Sequence, residues 1–231
     1  MDPMYSAEWF DAFAATVPQH FVEADVRGLA SALPLDGFRR VLDVACGIGR
    51  IAGPLASAGY EVTGIDVSIE ALRSARARAP GARYVALDQR DVGAMAWTFD
   101  GAIVLWNSLG FAGRSGDAIT LRGLAKSLRP GGRLVLELYH PEWLASHPLS
   151  GERDERGPAV RRWLERGRLF HRIEYGSGRV DDIQFDVYLP DEVAELCASA
   201  GLRVERQMAW WDPAVAPSLE LPRYQVVCEK P

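Results

Sequence analysis

The sequence predicts an α/β protein, an open, doubly wound and mostly parallel sheet with helices on both faces. Three observations carry that prediction. Between about residues 39 and 139, short β-branched or apolar runs alternate with longer helical patterns, as in successive βαβ units. Each transition is marked by residues that stop one element and start the next. The chain has 231 residues, 48% hydrophobic and 25% charged, enough to bury one full core without staples.

Upstream of the first strand, apolar periodicity gives two amphipathic helices, at 6–15 and 19–32. Strands follow at 40–44, 61–65, 83–86, 101–105 and 133–138, with helices between them at 50–58, 69–79 and 117–128. Ser68 is placed to cap the second of these helices, Pro80-Gly81 ends it, and Arg129-Pro130-Gly131-Gly132 makes a turn before the fifth strand. Right-handed crossovers then distribute the helices over both faces. After Pro141 the rhythm changes to a polar segment at 146–158 and two strand-like runs, 168–175 and 183–188, separated by Gly176-Ser177-Gly178. These read as a β-hairpin inserted into the sheet domain. A helix at 190–200, stopped at Gly201, leads to final strands at 203–208 and 224–228. The expected organisation is an N-terminal helical segment, 1–38, and a sheet domain, 39–231, with the insertion at about 146–189.

A net charge of −5 argues against a sequence-independent nucleic-acid binder, which needs a basic face. The most basic stretch, Arg161, Arg162, Arg166, Arg168 and Arg172, reads as solvated faces of a short helix and an exposed strand, or as a surface that steers an acidic acceptor. No apolar run approaches the ~20 residues of a membrane span, and the N-terminus lacks the pattern of a signal peptide, so the cytoplasm is expected. Cys46, Cys197 and Cys228 are odd in number and widely separated, which predicts buried thiols rather than disulfides. No metal site is expected, since the histidines and acids show no ligand spacing.

The segment VLDVACGIGR, residues 41–50, runs an apolar strand into a tight turn that opens a helix. Small residues at Ala45, Gly47 and Gly49 let the backbone approach a ligand closely, and Asp43 ends the strand. About twenty residues on, Asp66 ends the second strand, where a carboxylate can accept both hydrogen bonds of a ribose diol. Tyr139 and His140 follow the fifth strand, at the carboxyl edge where open sheets bind ligands, and are the candidate catalytic residues.

The joint pattern resembles the class I S-adenosylmethionine-dependent methyltransferases of small-molecule type. Asp43, Ala45, Gly47 and Gly49 fill the acid-and-glycine motif, with alanine in place of the first glycine. The likeness continues through Asp66, Leu87-Asp88-Gln89-Arg90-Asp91, the run 99–108 and the run 128–134. The resemblance implies a Rossmann-like seven-stranded sheet whose last strand is antiparallel, with the N-terminal helices as a lid. It implies S-adenosyl-L-methionine as cofactor, held by Asp43, Ala45, Cys46, Gly47 and Gly49 along the methionine and ribose, and by Asp66 with Val67 at the ribose hydroxyls. Asp88, Gln89 and Arg90 fall at the adenine, and Leu105 and Trp106 beside the sulfonium. Aromatic faces on Trp106, Phe111 and Trp9 suit a sulfonium cation. Tyr5, Phe10 and Phe13 share the lid region, and Trp210-Trp211 suit an apolar acceptor pocket. The expected partner is a small-molecule acceptor methylated at N, O or C, without nucleic acid or membrane, and a homodimer is left open.

Two other readings share these residues. One is a domain that binds S-adenosylmethionine without chemistry. The other is an NAD-dependent oxidoreductase, whose GxGxxG fingerprint differs from the GxGxxxG spacing of Gly47, Gly49 and Gly53. An acid before the turn would also repel a pyrophosphate.

Overall fold

Strand β1 (Arg40–Val44) is buried from Val41 to Val44, as the middle strand of a sheet covered on both faces must be. It pairs in parallel with β2 (Glu61–Asp66) and with β4 (Phe99–Val104). β3 (Arg83–Ala86) extends the sheet beyond β2, and β5 (Leu128–Tyr139) beyond β4. β11 (Arg223–Glu229) runs antiparallel to β5 and lies between it and β10 (Arg203–Met208), giving the order β10-β11-β5-β4-β1-β2-β3. This is the seven-stranded sheet with an antiparallel last strand that the motif series implied. The strand order reverses between β1 and β4, so a crevice opens at their carboxyl ends. The computed structural model describes residues 5–14, 17–151 and 157–231, apart from the side chains of residues 13, 14 and 151.

Alternate residues of the strands feed two cores. Leu42, Val44, Ala102, Val104, Leu134 and Leu136 face α5 (Gly113–Ser127) and α6 (Pro190–Ser199), while Val41, Val62, Ile103 and Val135 face α2 (Gln19–Ala32), α3 (Ala52–Ser57) and α4 (Ile69–Arg78). The Ser68 hydroxyl caps α4 by accepting the Ala71 N–H at 3.2 Å, as its position predicted.

Four local expectations change. The run Arg129-Pro130-Gly131-Gly132 is a bulge inside β5, opposite Asp100, where the register jumps from Phe99↔Leu128 to Gly101↔Arg133. It is held there by an Arg129–Asp100 ion pair and by the Gly131 N–H, which donates to the Lys230 carbonyl at 2.8 Å. The insertion is a four-stranded antiparallel sheet rather than a hairpin: β6 (Leu149–Gly151), β7 (Ala159–Glu165), β8 (Arg168–Glu174) and β9 (Val180–Asp186). Arg161 and Arg162 therefore sit on β7, not on a short helix, because Val160 and Leu164 pack into a third apolar cluster. Residues 152–156 of the polar segment lie outside the described residues. α5 begins at Gly113, four residues before its predicted start, where the Arg114 N–H is capped by the distant Asp186 carboxylate at 2.9 Å. Finally, the first amphipathic run is a three-residue helix, α1 (Ala7–Trp9), continued by a π turn over Phe10–Ala14.

Helix α2 meets the loop after β10 at one point of close contact. The indole of Trp211 lies where a Cβ on Gly28 would stand. We expect Gly28→Ala to destabilise the protein by about 1–3 kcal/mol through overpacking, although alanine favours the helix by about 1 kcal/mol. Urea unfolding monitored by tryptophan fluorescence measures this.

Candidate active site

The crevice is a cavity of about 530 Å³ above the carboxyl ends of β1 to β4, a size suited to a small ligand. Its wall brings together Asp43, Ala45, Cys46, Gly47, Asp66, Val67, Asp88, Gln89, Leu105, Trp106 and Tyr139 from the residues named by sequence. Three others are not in the wall: Gly49, Arg90 and His140.

Backbone geometry explains the turn. Ala45, Gly47 and Gly49 adopt φ of 56°, 52° and 76°, in the left-handed region. Ala45 bears the steric cost of its Cβ there, about 1–2 kcal/mol. Asp66 holds the turn in place: its Oδ2 accepts the Gly47 N–H at 2.9 Å and its Oδ1 the Ser68 N–H at 2.8 Å. Burial raises the Asp66 carboxyl above its ordinary range and pushes the Cys46 thiol up. Gly49 serves packing, since a Cβ there would stand 2.6 Å from the Tyr84 hydroxyl.

Asp88 opens the 3₁₀ turn Gln89–Ala94 and takes three hydrogen bonds from Arg90: backbone N–H at 2.9 Å, Nε at 3.0 Å and Nη2 at 2.7 Å. Those bonds hold the Asp88 carboxyl below its usual range. Arg90 thus acts on the wall through Asp88. The Gln89 side-chain oxygen is buried and accepts no hydrogen bond among the described residues.

Trp106 closes the floor at the end of β4, with Trp106 and Asn107 both at positive φ, 54° and 63°. Its indole N–H donates to Asp25 Oδ2 at 2.9 Å, and Trp211 donates to Asp25 Oδ1 at 3.1 Å. The guanidinium carbons of Arg50 and Arg223 each lie 4.0 Å from the Trp106 ring centroid. Two guanidinium groups therefore lie against the Trp106 ring. Arg223 is paired with Glu137 at 3.0 Å, and its Nη2 donates to the Tyr139 hydroxyl at 3.0 Å.

Tyr139 and His140 part company. Tyr139 faces the cavity, whereas His140 is buried edge-on against Tyr224, with ring centroids 6.1 Å apart. The strand alternation that turns Tyr139 inward turns its neighbour away, so His140 does not reach the cavity as a base. Burial also lowers its pKa. The far end of the cavity is aromatic, with Tyr5, Trp9, Phe10, Phe111 and Phe185. The Phe13 side chain lies outside the described residues. Trp210 and Trp211 are absent from the wall; Trp210 is 57% exposed. His171 of β8 joins the aromatic end, its pKa pushed down to about 4 by burial and by Arg162, so its imidazole is neutral at pH 7.

Residues 41–132 match the methyltransferase domain family. Over 115 residues the chain is 32% identical to a putative methyltransferase, YqeM, of Bacillus subtilis, covering 48% of this chain and 46% of that protein. The matched segment carries the glycine turn, Asp66 and Asp88. The CcbJ methyltransferase of Streptomyces caelestis shares its fold at a TM-score of 0.81 and 19% identity, covering 97% of this chain and 95% of that one. CalS10, an amino pentose methyltransferase of Micromonospora echinaspora, matches at a TM-score of 0.72 and 22% identity over the full length of both chains. The chain spans about half the length of the curated relatives it matches.

The cavity gains wall residues that the sequence motifs do not announce. Arg50 follows the glycine turn and was legible only as a helix start. His171 and Phe185 come from β8 and β9, and Tyr5 and Trp9 from the N-terminal segment. Only tertiary packing brings these distant segments to the glycine turn.

Before the glycine turn, Asp43 is 4% exposed, and burial raises its pKa from 3.8 to about 7 against the partial relief of Arg50 and the Ala52 N–H. The native state therefore binds this proton more tightly than the unfolded chain, and stability falls as pH rises from about 4 through 7. Asp43→Asn removes that loss. Its thermal midpoint relative to the parent should be higher at pH 8 than at pH 4, as read by calorimetry at both pH values.

Proposed function

We propose that this chain transfers a methyl group from S-adenosylmethionine to an N, O or C nucleophile of a small molecule, in the cytoplasm. The observation that carries this is the single cavity that joins the Asp66-anchored glycine turn and Asp88 to an aromatic chamber. The cofactor fits the donor set: Asp43 Oδ2, Arg50 Nη1 and Gln89 Oε1 are buried without hydrogen-bond partners among the described residues, and all three side chains reach this wall. Asp66 would hold the ribose hydroxyls, the turn 45–49 and Val67 the ribose and tail, and Asp88 with Gln89 the adenine edge. Bound there, the cofactor supplies an electrophilic methyl on a sulfonium with a good leaving group.

The protein's contribution is mainly alignment of nucleophile, methyl carbon and sulfur. Tyr5, Trp9, Phe111 and Phe185 exclude water and suit an acceptor with an apolar face. Neutral His171, together with Tyr139, offers polar atoms for a nucleophile that bears a proton. An aromatic end also suits a compact organic acceptor of the kind named for CalS10, an amino pentose. Asp43, an acid before the turn, disfavours a dinucleotide pyrophosphate.

Calorimetric titration of S-adenosylmethionine, S-adenosylhomocysteine and NAD into the parent and Asp66→Ala tests the reading. Micromolar binding of the first two and its loss in the variant are expected, followed by label transfer from methyl-labelled cofactor across an acceptor panel. Binding of NAD alone would overturn it. Binding without transfer to any acceptor would favour the non-catalytic alternative.

A further inference from the structure

On the inner face of the inserted sheet, His171 stands between two apolar rows. Leu164, Leu169 and Phe185 pair across β7, β8 and β9 on one side of it, and Val160 and Ile173 pair on the other. His171 itself lies opposite Arg162 and Ile183, in the cavity wall, and its imidazole makes no hydrogen bond among the described residues. Burial and Arg162 keep the ring neutral, so one nitrogen offers a lone pair. Tyr139, in the same wall, offers the opposite: its oxygen accepts Arg223 Nη2 at 3.0 Å, which turns its own O–H away from Arg223, and that O–H finds no acceptor among the described residues. One guanidinium neighbours both groups. Arg162 has its guanidinium carbon 5.9 Å from the Tyr139 ring centroid, donates to the His147 carbonyl at 3.3 Å, and sits directly across the strand pair from His171, where Cβ atoms are about 5 Å apart. The carboxylates of the wall, Asp43, Asp66 and Asp88, stand instead at or just beyond the ends of β1, β2 and β3. Asp181 of β9 is committed to Ser6 and Tyr175 and is not in the wall. The aromatic end thus holds a spare hydrogen-bond acceptor and a spare donor close together, and unmade polar groups in a largely apolar chamber point to a ligand that supplies both partners.

We infer that His171 and Tyr139 read the methyl acceptor at two points, His171 accepting a hydrogen bond from the N–H or O–H of the nucleophile and Tyr139 donating one to a second heteroatom a few bonds away. Resting on the methyl-transfer reading, this narrows the acceptor to an uncharged amine or hydroxyl beside a second oxygen or nitrogen on a compact ring: an aminophenol, a diol or a cyclic amino alcohol. A protonated amine is disfavoured, since it has no lone pair to attack with and meets no uncommitted carboxylate among the described residues of this end. During transfer the nucleophile's lone pair forms the new bond to the methyl carbon, the carbon–sulfur bond breaks with its electron pair going to sulfur, and the proton shed by the nucleophile passes to His171 and from there to water. A site built to hydrogen-bond two groups rejects a ring that carries only one of them.

The test crosses variants with two probes, titrated calorimetrically into protein saturated with S-adenosylhomocysteine, which fills the cofactor site without a methyl to transfer. 2-Aminophenol carries both groups; 2-methylaniline keeps the amine and replaces the hydroxyl by a methyl of similar size. The parent should bind 2-aminophenol about tenfold more tightly. Tyr139→Phe should weaken 2-aminophenol by about fivefold to fiftyfold and leave 2-methylaniline within about threefold, whereas His171→Phe should weaken both probes by about fivefold to fiftyfold. His171→Gln, whose amide oxygen also accepts a hydrogen bond, should recover part of that loss, which a purely structural role for His171 would not give. S-adenosylhomocysteine itself should bind all three variants within about threefold of the parent, which shows that fold and cofactor site are intact. Equal or absent binding of the two probes by the parent, equal weakening of both by Tyr139→Phe, no weakening by His171→Phe, or no recovery in His171→Gln overturns the two-point reading and leaves the cofactor reading standing. Lost affinity for S-adenosylhomocysteine in a variant also overturns it, by assigning that residue to the cofactor or to the fold. Failure of the parent to bind S-adenosylhomocysteine overturns both readings.

Discussion

Everything at the floor of the cavity depends on the carboxylate of Asp25, which accepts one indole N–H on each oxygen. Through it, helix α2 is fastened to the end of β4 by Trp106 and to the loop after β10 by Trp211. The carboxylate is 6% exposed, and burial raises its pKa. A charge so placed is tolerated because its hydrogen bonds and the nearby guanidinium groups compensate desolvation. The same cluster explains why Trp106 and Asn107 hold positive φ. The Trp106 N–H donates to the Glu137 side chain and the Asn107 N–H to the Glu137 carbonyl, while the Asn107 side chain accepts the Tyr139 N–H. Strain in the loop is offset by bonds that only this conformation makes.

A second constraint acts at the glycine turn. Of the three residues in the left-handed region, the middle one, Gly47, is bonded by Asp66, so the turn that forms one cavity wall is tied to a side chain from the neighbouring strand. The acid is thereby pre-positioned, with both oxygens already oriented by backbone donors. Asp88 is oriented in the same way by Arg90. Asp66 and Asp88 are thus both oriented by donors of the protein itself.

The roof is built by a different device. Asp181 of β9 accepts from the Ser6 hydroxyl at 2.6 Å, the Ser6 N–H at 3.2 Å and the Tyr175 hydroxyl at 2.9 Å. This buried carboxylate joins the N-terminal segment to the inserted sheet, and those hydrogen bonds outweigh burial to hold its pKa below the usual range. Tyr5 and Trp9, stacked with centroids 3.8 Å apart, are delivered over the cavity next to Phe111 and Phe185. The N-terminal segment and the inserted sheet thus meet at the cavity, and both contribute to its aromatic end.

By itself the sequence determined the parallel sheet, its helices and the glycine turn with its acids, because these are local patterns: apolar periodicity, caps, and small residues where the backbone must turn tightly. Asp43, Ala45, Gly47, Asp66 and Asp88 were readable in order along successive strand ends. The tertiary structure alone decided which neighbours face the cavity, placing Tyr139 inward and His140 against Tyr224. It also decided that Arg50 and Arg223 both lie against Trp106, and that β7 is a strand despite Arg161 and Arg162. The reason is physical: burial, pairing and the facing of a side chain depend on groups far away in the chain. Asp25 and Trp211 are 186 residues apart, and no local pattern encodes their contact.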